Sequence, residues 1–328
     1  MNARQIFFCF IVSLLAIIIY LRKSTIIVEN VRLKKCHSDI IKNKTVCSLI
    51  CSDGEFSLPG MTSCLQWLNC EDKLTIVSTI SISVVKSVYL ARWSNYEVVL
   101  SVLSSKIYKE DFKQNLFMIK SLASHNQVVE LIGFCNNSIV TKYYRFGSAL
   151  NANYHLRHSL RSFDNIKMRL NLCISYASVI EFLHSSPVGV RVMCDSNSLE
   201  KTLSQYLLTD SFEILVNDLD ATPEVQKNTN KGVICGNKLL SGTFVAPEQL
   251  WPFPNYEYDP ERMISYDEKT DVWKIPDVCN WFLGNSSSID FIKYKLFTIH
   301  KQCKSVDPLQ RPTASHVLEV YKNIFSEI

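Results

Sequence analysis

Two aspartates on either side of a short hairpin pattern are the residues of this chain best suited to chemistry. Asp195 lies in a polar loop, and Asp218 ends an apolar run. Two strands are predicted between them, over residues 205–209 and 213–218, because apolar runs flank the turn formers Asp210 and Ser211. Of two such carboxylates, one could accept a hydroxyl proton and the other could bind a divalent cation. Taken alone, the stretch is better explained by two unrelated loop aspartates.

Three further motifs follow Asp218 in order. They are Ala246-Pro247-Glu248, then Asp271 at the start of a predicted helix, then Arg311-Pro312. Each motif is weak, but their order after the two aspartates resembles the protein-kinase superfamily from about residue 73 to the end. Strings such as KTLSQYLLT, FVAPEQLWP and TSCLQWLNCED resemble its secretory-pathway sugar kinases.

The resemblance implies a role for each retained residue. Asp195 would accept or orient the proton of the acceptor hydroxyl, and Asp218 would hold Mg²⁺ or Mn²⁺ bridging the β- and γ-phosphates of ATP. Asp271 would hydrogen-bond the catalytic-loop backbone. Glu248 would pair with Arg311, since neither charge is tolerated alone in the interior.

The small-lobe phosphate site departs from the kinase pattern. Ser81 and Ser83 stand where the first two glycines of the glycine-rich loop would be, and Ser101 replaces the usual lysine of the third strand. Lys86, on the neighbouring strand, is the candidate to reach the phosphates instead; the alternative is an ordinary exposed strand lysine.

The glutamate that would orient this lysine is displaced as well. Asn115 occupies its expected place, whereas Glu110 and Asp111 lie one helical turn earlier. Either acid is therefore a candidate partner of Lys86, and the alternative for both is a solvated acid at a helix start.

In the catalytic loop, Gln205 stands where the metal-binding asparagine is expected, and Asn197 is a second candidate. Asp220 replaces the glycine two residues after Asp218; we expect it to stay in solvent, with the metal site as the alternative.

The predicted elements follow the kinase order, an α+β, two-lobed fold. A five-stranded small lobe with one helix spans residues 71–147, and a mostly helical large lobe spans 148–328. The small lobe is predicted from strands 74–83, 84–93, 96–103, 128–134 and 139–144 and a helix over 109–124; the large-lobe helices are 167–184, 271–283, 288–300 and 313–324.

The N-terminus predicts a membrane anchor. Residues 6–21 contain no charge and are followed by Arg22 and Lys23, so a transmembrane helix is favoured over a cleaved signal peptide. It would leave residues 1–5 as a cytoplasmic tail and 22–70 as a cysteine-rich lumenal stem.

The cysteines favour an oxidising compartment. Five of the twelve cysteines cluster in the stem and suggest disulfides; a zinc site is the alternative, but the cysteine spacing suits it poorly. The other cysteines are scattered, and several are expected to be buried thiols. N-glycosylation sequons at Asn43, Asn136 and Asn285 add slight support for a secretory compartment. A type II protein of the endoplasmic reticulum membrane is the resulting expectation.

The mild net charge of +4, without a basic block, gives no indication of nucleic-acid binding. The resemblance implies an ATP- and Mg²⁺-dependent kinase acting on the 6-hydroxyl of O-linked mannose, within a GalNAc-GlcNAc-mannose trisaccharide on a glycoprotein such as α-dystroglycan. The main alternative is a catalytically dead pseudokinase that binds glycans or acts as a scaffold. A cytosol-facing kinase of protein serine and threonine is the third possibility.

Overall fold

The computed structural model describes residues 33–229, 231–285 and 289–328. Within them the chain forms two compact units, one of residues 33–36 and 46–66 and the other of 37–45 and 67–328. No helix in these ranges is long and apolar enough to cross a membrane. The segment predicted as an anchor, residues 6–21, lies outside the described residues.

The first unit contains two short strands, β3 and β4, which pair as a hairpin (Glu55–Phe56 and Leu65–Gln66). Two longer strands, β1 and β2, pair and lie partly in each unit (Lys34–Asp39 and Lys44–Leu49). Disulfides Cys36–Cys47 and Cys51–Cys64 crosslink the first unit. The prediction of stem disulfides is therefore confirmed.

The second unit begins with an antiparallel sheet in the order β5-β6-β7-β9-β8. Its strands are Thr75–Ile82, Lys86–Trp93, Tyr96–Leu103, Leu131–Cys135 and Ser138–Lys142, numbered β5 to β9 in chain order. Helix α1, Lys109–Ser121, follows β7 and buries Phe112, Met118 and Ile119. The five-stranded lobe with one helix is as predicted, although α1 ends three residues earlier than expected.

The rest of the second unit is mainly helical and is built around α3. This helix spans Ile166–His184 and buries ten of its side chains; Asn165 caps its N-terminus with a side chain that accepts the Met168 N–H at 2.9 Å. It packs against α5, α7 and the short strand β12. The other helices described are α2 (Ala152–Arg157), α4 (Leu199–Ser204), α5 (Lys269–Leu283), α6 (Asp290–Cys303) and α7 (Ala314–Ser326), and the short strands are β10 (Val190–Arg191), β11 (Tyr206–Leu208), β12 (Ile214–Val216) and β13 (Glu224–Val225).

The expectation that several scattered cysteines are plain thiols is wrong. Cys70–Cys135, Cys173–Cys279 and Cys194–Cys235 are disulfides, and Cys303 is the one free cysteine in the described part of the chain. Partners this far apart in sequence meet only because the fold places β8, α3 and α5 where it does.

A buried histidine makes α6 and α7 sensitive to acid. His300 Nε2 lies 2.7 Å from the Tyr321 hydroxyl, and burial, followed by the charge of Lys304, lowers its pKa from 6.5 to about 4. Between these two pH values His300 is protonated in the unfolded protein but neutral in the folded protein. Stability is therefore lost as pH falls from 6.5 towards 4. We expect the free energy of unfolding to drop by about 2 kcal/mol more between pH 7 and pH 5 in the wild type than in His300→Gln, measured by denaturant unfolding. The exposed His316→Gln serves as control; equal drops in wild type and His300→Gln would contradict the prediction.

Candidate active site

Lys86 begins β6 directly after a tight turn. The turn is organised by Ser83, whose hydroxyl donates to the Lys86 carbonyl at 2.9 Å and accepts the N–H groups of Val85 and Lys86 at 3.3 and 3.1 Å. Ser81 pairs with Val88 across the hairpin and is exposed. A serine hydroxyl thus stabilises the turn that replaces a glycine-rich one.

Lys86 and Asp218 form the ion pair at the centre of the site. Lys86 Nζ lies 2.6 Å from Asp218 Oδ2, and both side chains are largely buried, at 17% and 16% exposure. Asp218 follows β12, so the pair joins the small-lobe hairpin to the large lobe. The simple alternative of an exposed strand lysine is therefore wrong.

The predicted pairing of Lys86 with Glu110 or Asp111 is also wrong. Glu110 pairs with Lys113 at 2.8 Å on the exposed face of α1, and Asp111 is exposed. Both acids start the helix and face solvent, so the carboxylate of Asp218 takes the position of a helix glutamate as the partner of the lysine.

Asn115 has a role that sequence reasoning missed. It is buried on α1, and its Oδ1 accepts the backbone N–H of Leu219 at 2.9 Å. The helix therefore holds the backbone directly after Asp218. A signal was available: a polar residue in the apolar face of an amphipathic helix needs a buried partner.

Asp195 is positioned through its neighbours in the catalytic loop. Met193 N donates to Asp271 Oδ2 at 3.0 Å, as the resemblance implied. Cys194 N donates to the Ala221 carbonyl at 3.0 Å, and the Cys194 side chain is crosslinked to Cys235. The residue before Asp195 is thus fixed to the segment that follows Asp218.

Lys201 is a second residue that the sequence analysis missed. It lies on α4, and its Nζ is 2.7 Å from Asp195 Oδ2. Burial opposes its charge, but the Asp195 carboxylate and those of Asp218 and Asp220 outweigh it and raise the pKa of Lys201. A helix inserted after Asp195 therefore supplies a second cation to the site.

Gln205 and Asp218 offer oxygen atoms suited to a divalent cation. The Gln205 amide nitrogen is held by the Lys201 carbonyl at 2.9 Å and Ser204 Oγ at 3.1 Å, and its Oε1 is buried without a hydrogen bond in the described structure. Asp218 Oδ1 is likewise buried and unpartnered, and Asp218 N donates to the Gln205 carbonyl at 3.2 Å. Buried oxygens are rarely left without partners, so the pair fits an oxygen-liganded Mg²⁺ or Mn²⁺. Asn197, the other candidate, is exposed.

Asp220 is partly buried, which contradicts its expected place in solvent. Burial and the neighbouring Asp218 raise its pKa to about 7. Because the Asp218 carboxylate contributes to this shift after burial, a cation bound at Asp218 would lower the pKa of Asp220.

The Glu248–Arg311 pair confirms the other long-range contact that the resemblance implied. The guanidinium donates to both carboxylate oxygens at 2.6 and 2.7 Å, and the Arg311 side chain is fully buried.

Breaking this pair from one side should be costly. Arg311→Met leaves the Glu248 carboxylate without its partner, and we expect the free energy of unfolding to fall by about 3–5 kcal/mol, measured by denaturant unfolding. The pair of Lys295 and Glu327, whose side chains are 28% and 54% exposed, is the matched control: Lys295→Met should cost less than about 1 kcal/mol. Similar small losses in both variants would show that the buried pair adds no stability.

Known proteins place the chain among kinases. Residues 74–314 match the family model described as protein tyrosine and serine/threonine kinase. The human protein O-mannose kinase is 44% identical over 88% of this chain and 84% of its own length. The proteins of the same name from Gallus gallus and Xenopus laevis are 45% and 41% identical, each over 84% of this chain and 80% of its own length.

Proposed function

The chain belongs to the protein O-mannose kinase family, a group of protein-kinase-fold phosphotransferases, and on this basis we propose that it transfers the γ-phosphoryl group of ATP to the 6-hydroxyl of O-linked mannose. The acceptor is the GalNAc-GlcNAc-mannose trisaccharide on a glycoprotein such as α-dystroglycan. The kinase resemblance and the assignment as a phosphotransferase are confirmed by the family match.

The Lys86–Asp218 pair is the observation that carries the proposal. It places a cation and a carboxylate with a free oxygen at one point, although the usual glycines and third-strand lysine are absent. Gln205 and Asp218 would hold Mg²⁺, which when bound would neutralise charge on the β- and γ-phosphates. Lys86 would contact the same phosphates from the small lobe.

Asp195 orients the acceptor hydroxyl and accepts its proton as the hydroxyl oxygen forms a bond to the γ-phosphorus, while the bond from that phosphorus to the β,γ-bridging oxygen breaks and ADP leaves. Lys201, held against this carboxylate, offsets the negative charge that collects where the hydroxyl and the phosphoryl group meet. Catalysis is then mostly positioning and charge neutralisation by groups that are already in place.

We propose that the body of the enzyme lies in the lumen of the endoplasmic reticulum, behind a type II anchor at residues 6–21. Five disulfides among the described residues support an oxidising compartment. The sequon residues Asn43 and Asn136 also support it, since both side chains are exposed, at turns with φ of 46° and 48°. Protease protection of the body in intact microsomes tests the topology; digestion without detergent would place it in the cytosol.

The activity is tested by offering the purified protein Mg-ATP with a synthetic trisaccharide glycoside, beside an unglycosylated protein substrate. We expect phosphate on the mannose 6-hydroxyl, located by mass spectrometry and ³¹P NMR. Transfer to protein serine or threonine alone would refute the proposal, and so would an absence of transfer to either acceptor.

Lys201 gives a separate prediction for this reaction. Lys201→Met removes the cation beside Asp195, and we expect kcat to fall by about 10- to 100-fold with an unchanged KM for ATP, measured by steady-state phosphate transfer. Lys201→Arg keeps the charge and should retain most of the rate. A kcat for Lys201→Met equal to that of the wild type would restrict Lys201 to a structural role.

A further inference from the structure

Lys274 is a lysine buried in the interior of the large lobe, outside the Lys86–Asp218 centre. It lies on α5, three residues after Asp271, and both side chains are only 1% exposed. A lysine is almost never fully buried unless a partner compensates its charge. The contacts of its ammonium group should therefore explain why a lysine occupies this position.

Two side chains lie against the Lys274 ammonium. Its Nζ is 3.7 Å from Asp271 Oδ1, an ion-pair distance, and 2.5 Å from Ser196 Oγ. Burial lowers the pKa of Lys274, and the Asp271 carboxylate opposes this shift. Ser196 is itself buried and directly follows Asp195, the candidate proton acceptor. The buried cation thus contacts the loop that carries the proton acceptor.

The ammonium fixes the direction of each hydrogen bond at the Ser196 hydroxyl. Because an ammonium group can only donate, the hydroxyl oxygen must accept from Lys274. The hydroxyl proton is then directed at the Met193 carbonyl, to which Ser196 Oγ donates. A serine hydroxyl can otherwise rotate to suit several partners, so Lys274 selects one orientation.

Ser196 closes a tight turn around Asp195. Its backbone N–H donates to the Cys194 carbonyl at 2.7 Å, so Asp195 is the central residue of a three-residue turn. The Ser196 hydroxyl bonds the Met193 carbonyl as well, so both the backbone and the side chain of Ser196 are tied to residues that precede Asp195. A shift of Ser196 would therefore move the Asp195 carboxylate.

Helix α5 holds both backbone groups of Met193. Asp271 Oδ2 accepts the Met193 N–H at 3.0 Å, and Lys274 acts on the Met193 carbonyl through the Ser196 hydroxyl. Residues three apart on a helix are neighbours on its surface, which places this carboxylate and this ammonium side by side. Their formal charges offset each other, so the pair holds the loop without adding net charge near Asp195.

We propose that Lys274 is a positioning residue for phosphate transfer, which holds the turn around Asp195 in its reactive geometry through the Ser196 hydroxyl. The inference rests on the proposed function. A displacement of a reacting group by about 1 Å can cost on the order of 10²-fold in rate, so a rigid turn matters to the reaction. The alternative is a lysine that neutralises Asp271 and stabilises the fold without affecting the rate.

The test is a double-mutant cycle on kcat for phosphate transfer to the trisaccharide, measured with the full protein after thermal unfolding has confirmed that each variant is folded. Ser196→Ala leaves Lys274 and Asp271 in place, whereas Lys274→Met removes the ammonium and keeps an unbranched side chain. Each should lower kcat by about 10- to 100-fold, with the KM for ATP within about twofold of wild type. The double variant should be no slower than the slower single variant, because both substitutions remove the same contact.

Two variants of the same types are matched controls. Ser186→Ala removes another buried hydroxyl, which accepts the Val188 N–H at 3.2 Å in the turn before β10. Lys304→Met removes an ammonium that pairs at 2.5 Å with Asp277, also on α5. Both variants should retain the kcat of the wild type.

A wild-type kcat in folded Ser196→Ala protein would overturn the inference and leave the kinase activity standing. Losses that multiply in the double variant would overturn it too, because Lys274 would then act by a route other than Ser196. If Lys274→Met does not fold, Ser196→Ala decides alone: it keeps the ion pair with Asp271, so a lowered kcat supports the inference and an unchanged one overturns it. If the wild type transfers no phosphate to the trisaccharide, the proposed function itself fails.

Discussion

Asp195→Asn is expected to lower kcat for phosphate transfer to the trisaccharide by about 10²–10⁴-fold, the range over which a positioned proton acceptor acts. Asparagine has nearly the same shape but cannot accept the hydroxyl proton. Substrate binding should persist, because the Lys86–Asp218 pair and the buried oxygens of Gln205 and Asp218 are untouched, so KM for ATP should stay within about threefold of wild type.

The measurement is steady-state kinetics on protein whose folding has been checked by thermal unfolding. Asp195 and Lys201 are 39% and 45% exposed, so losing their ion pair should cost less than about 1 kcal/mol. Asp290→Asn, an exposed acid in the first turn of α6, is the matched control and should retain full activity. A folded Asp195→Asn enzyme with the rate of the wild type would mean that another group accepts the proton.

Residues that belong to a short motif with a fixed partner could be predicted from the sequence. Glu248 and Arg311 are 63 positions apart, but each belongs to a short motif with a fixed partner, and the predicted pair is present. The predicted strands and helices also agree with the structure, since their apolar periodicity reflects which face is buried.

Contacts that depend on how elements are oriented could not be predicted. Glu110 precedes Asn115 by five residues, which is more than one helical turn of 3.6 residues and places the two side chains on different faces of α1, so Glu110 faces solvent while Asn115 faces the core. Lys86 then pairs with Asp218, which the sequence analysis treated only as a metal ligand. The disulfides show the same limit: Cys173 and Cys279 are 106 residues apart, and spacing cannot choose among the connectivities open to several cysteines.

Lys201 shows why an inserted segment is hard to interpret. From the sequence, the residues between Asp195 and Gln205 are a loop of unusual length that could accommodate an acceptor other than a peptide. In the folded protein they include the short helix α4, which directs Lys201 at Asp195, while the Lys201 carbonyl accepts from the Gln205 amide nitrogen at 2.9 Å. The insertion therefore connects the candidate proton acceptor to the candidate metal ligand.

The largest loss of phosphate-transfer rate should come from Asp218→Asn, because the Asp218 carboxylate pairs with the Lys86 ammonium and is also the candidate ligand of Mg²⁺. One oxygen holds Lys86 at 2.6 Å, and the other is buried and free to bind Mg²⁺. An amide weakens the metal site and leaves the Lys86 ammonium without its partner, so we expect the rate of phosphate transfer to fall by about 10³-fold or more.

A thermal-shift titration with Mg-ATP separates this role from a merely structural one. At a hundredfold excess over Kd, Mg-ATP should stabilise the wild-type protein by about 2.7 kcal/mol, and Asp218→Asn should lose most of that gain. Lys86→Met keeps the metal ligands, so its stabilisation should be weaker but should still depend on Mg²⁺. Asp218→Asn protein with undiminished, Mg²⁺-dependent stabilisation by ATP would remove Asp218 from the metal site. Lys86 and Asp218 form a single ion pair at 2.6 Å, and together the two variants separate the contribution of each side chain to Mg-ATP binding.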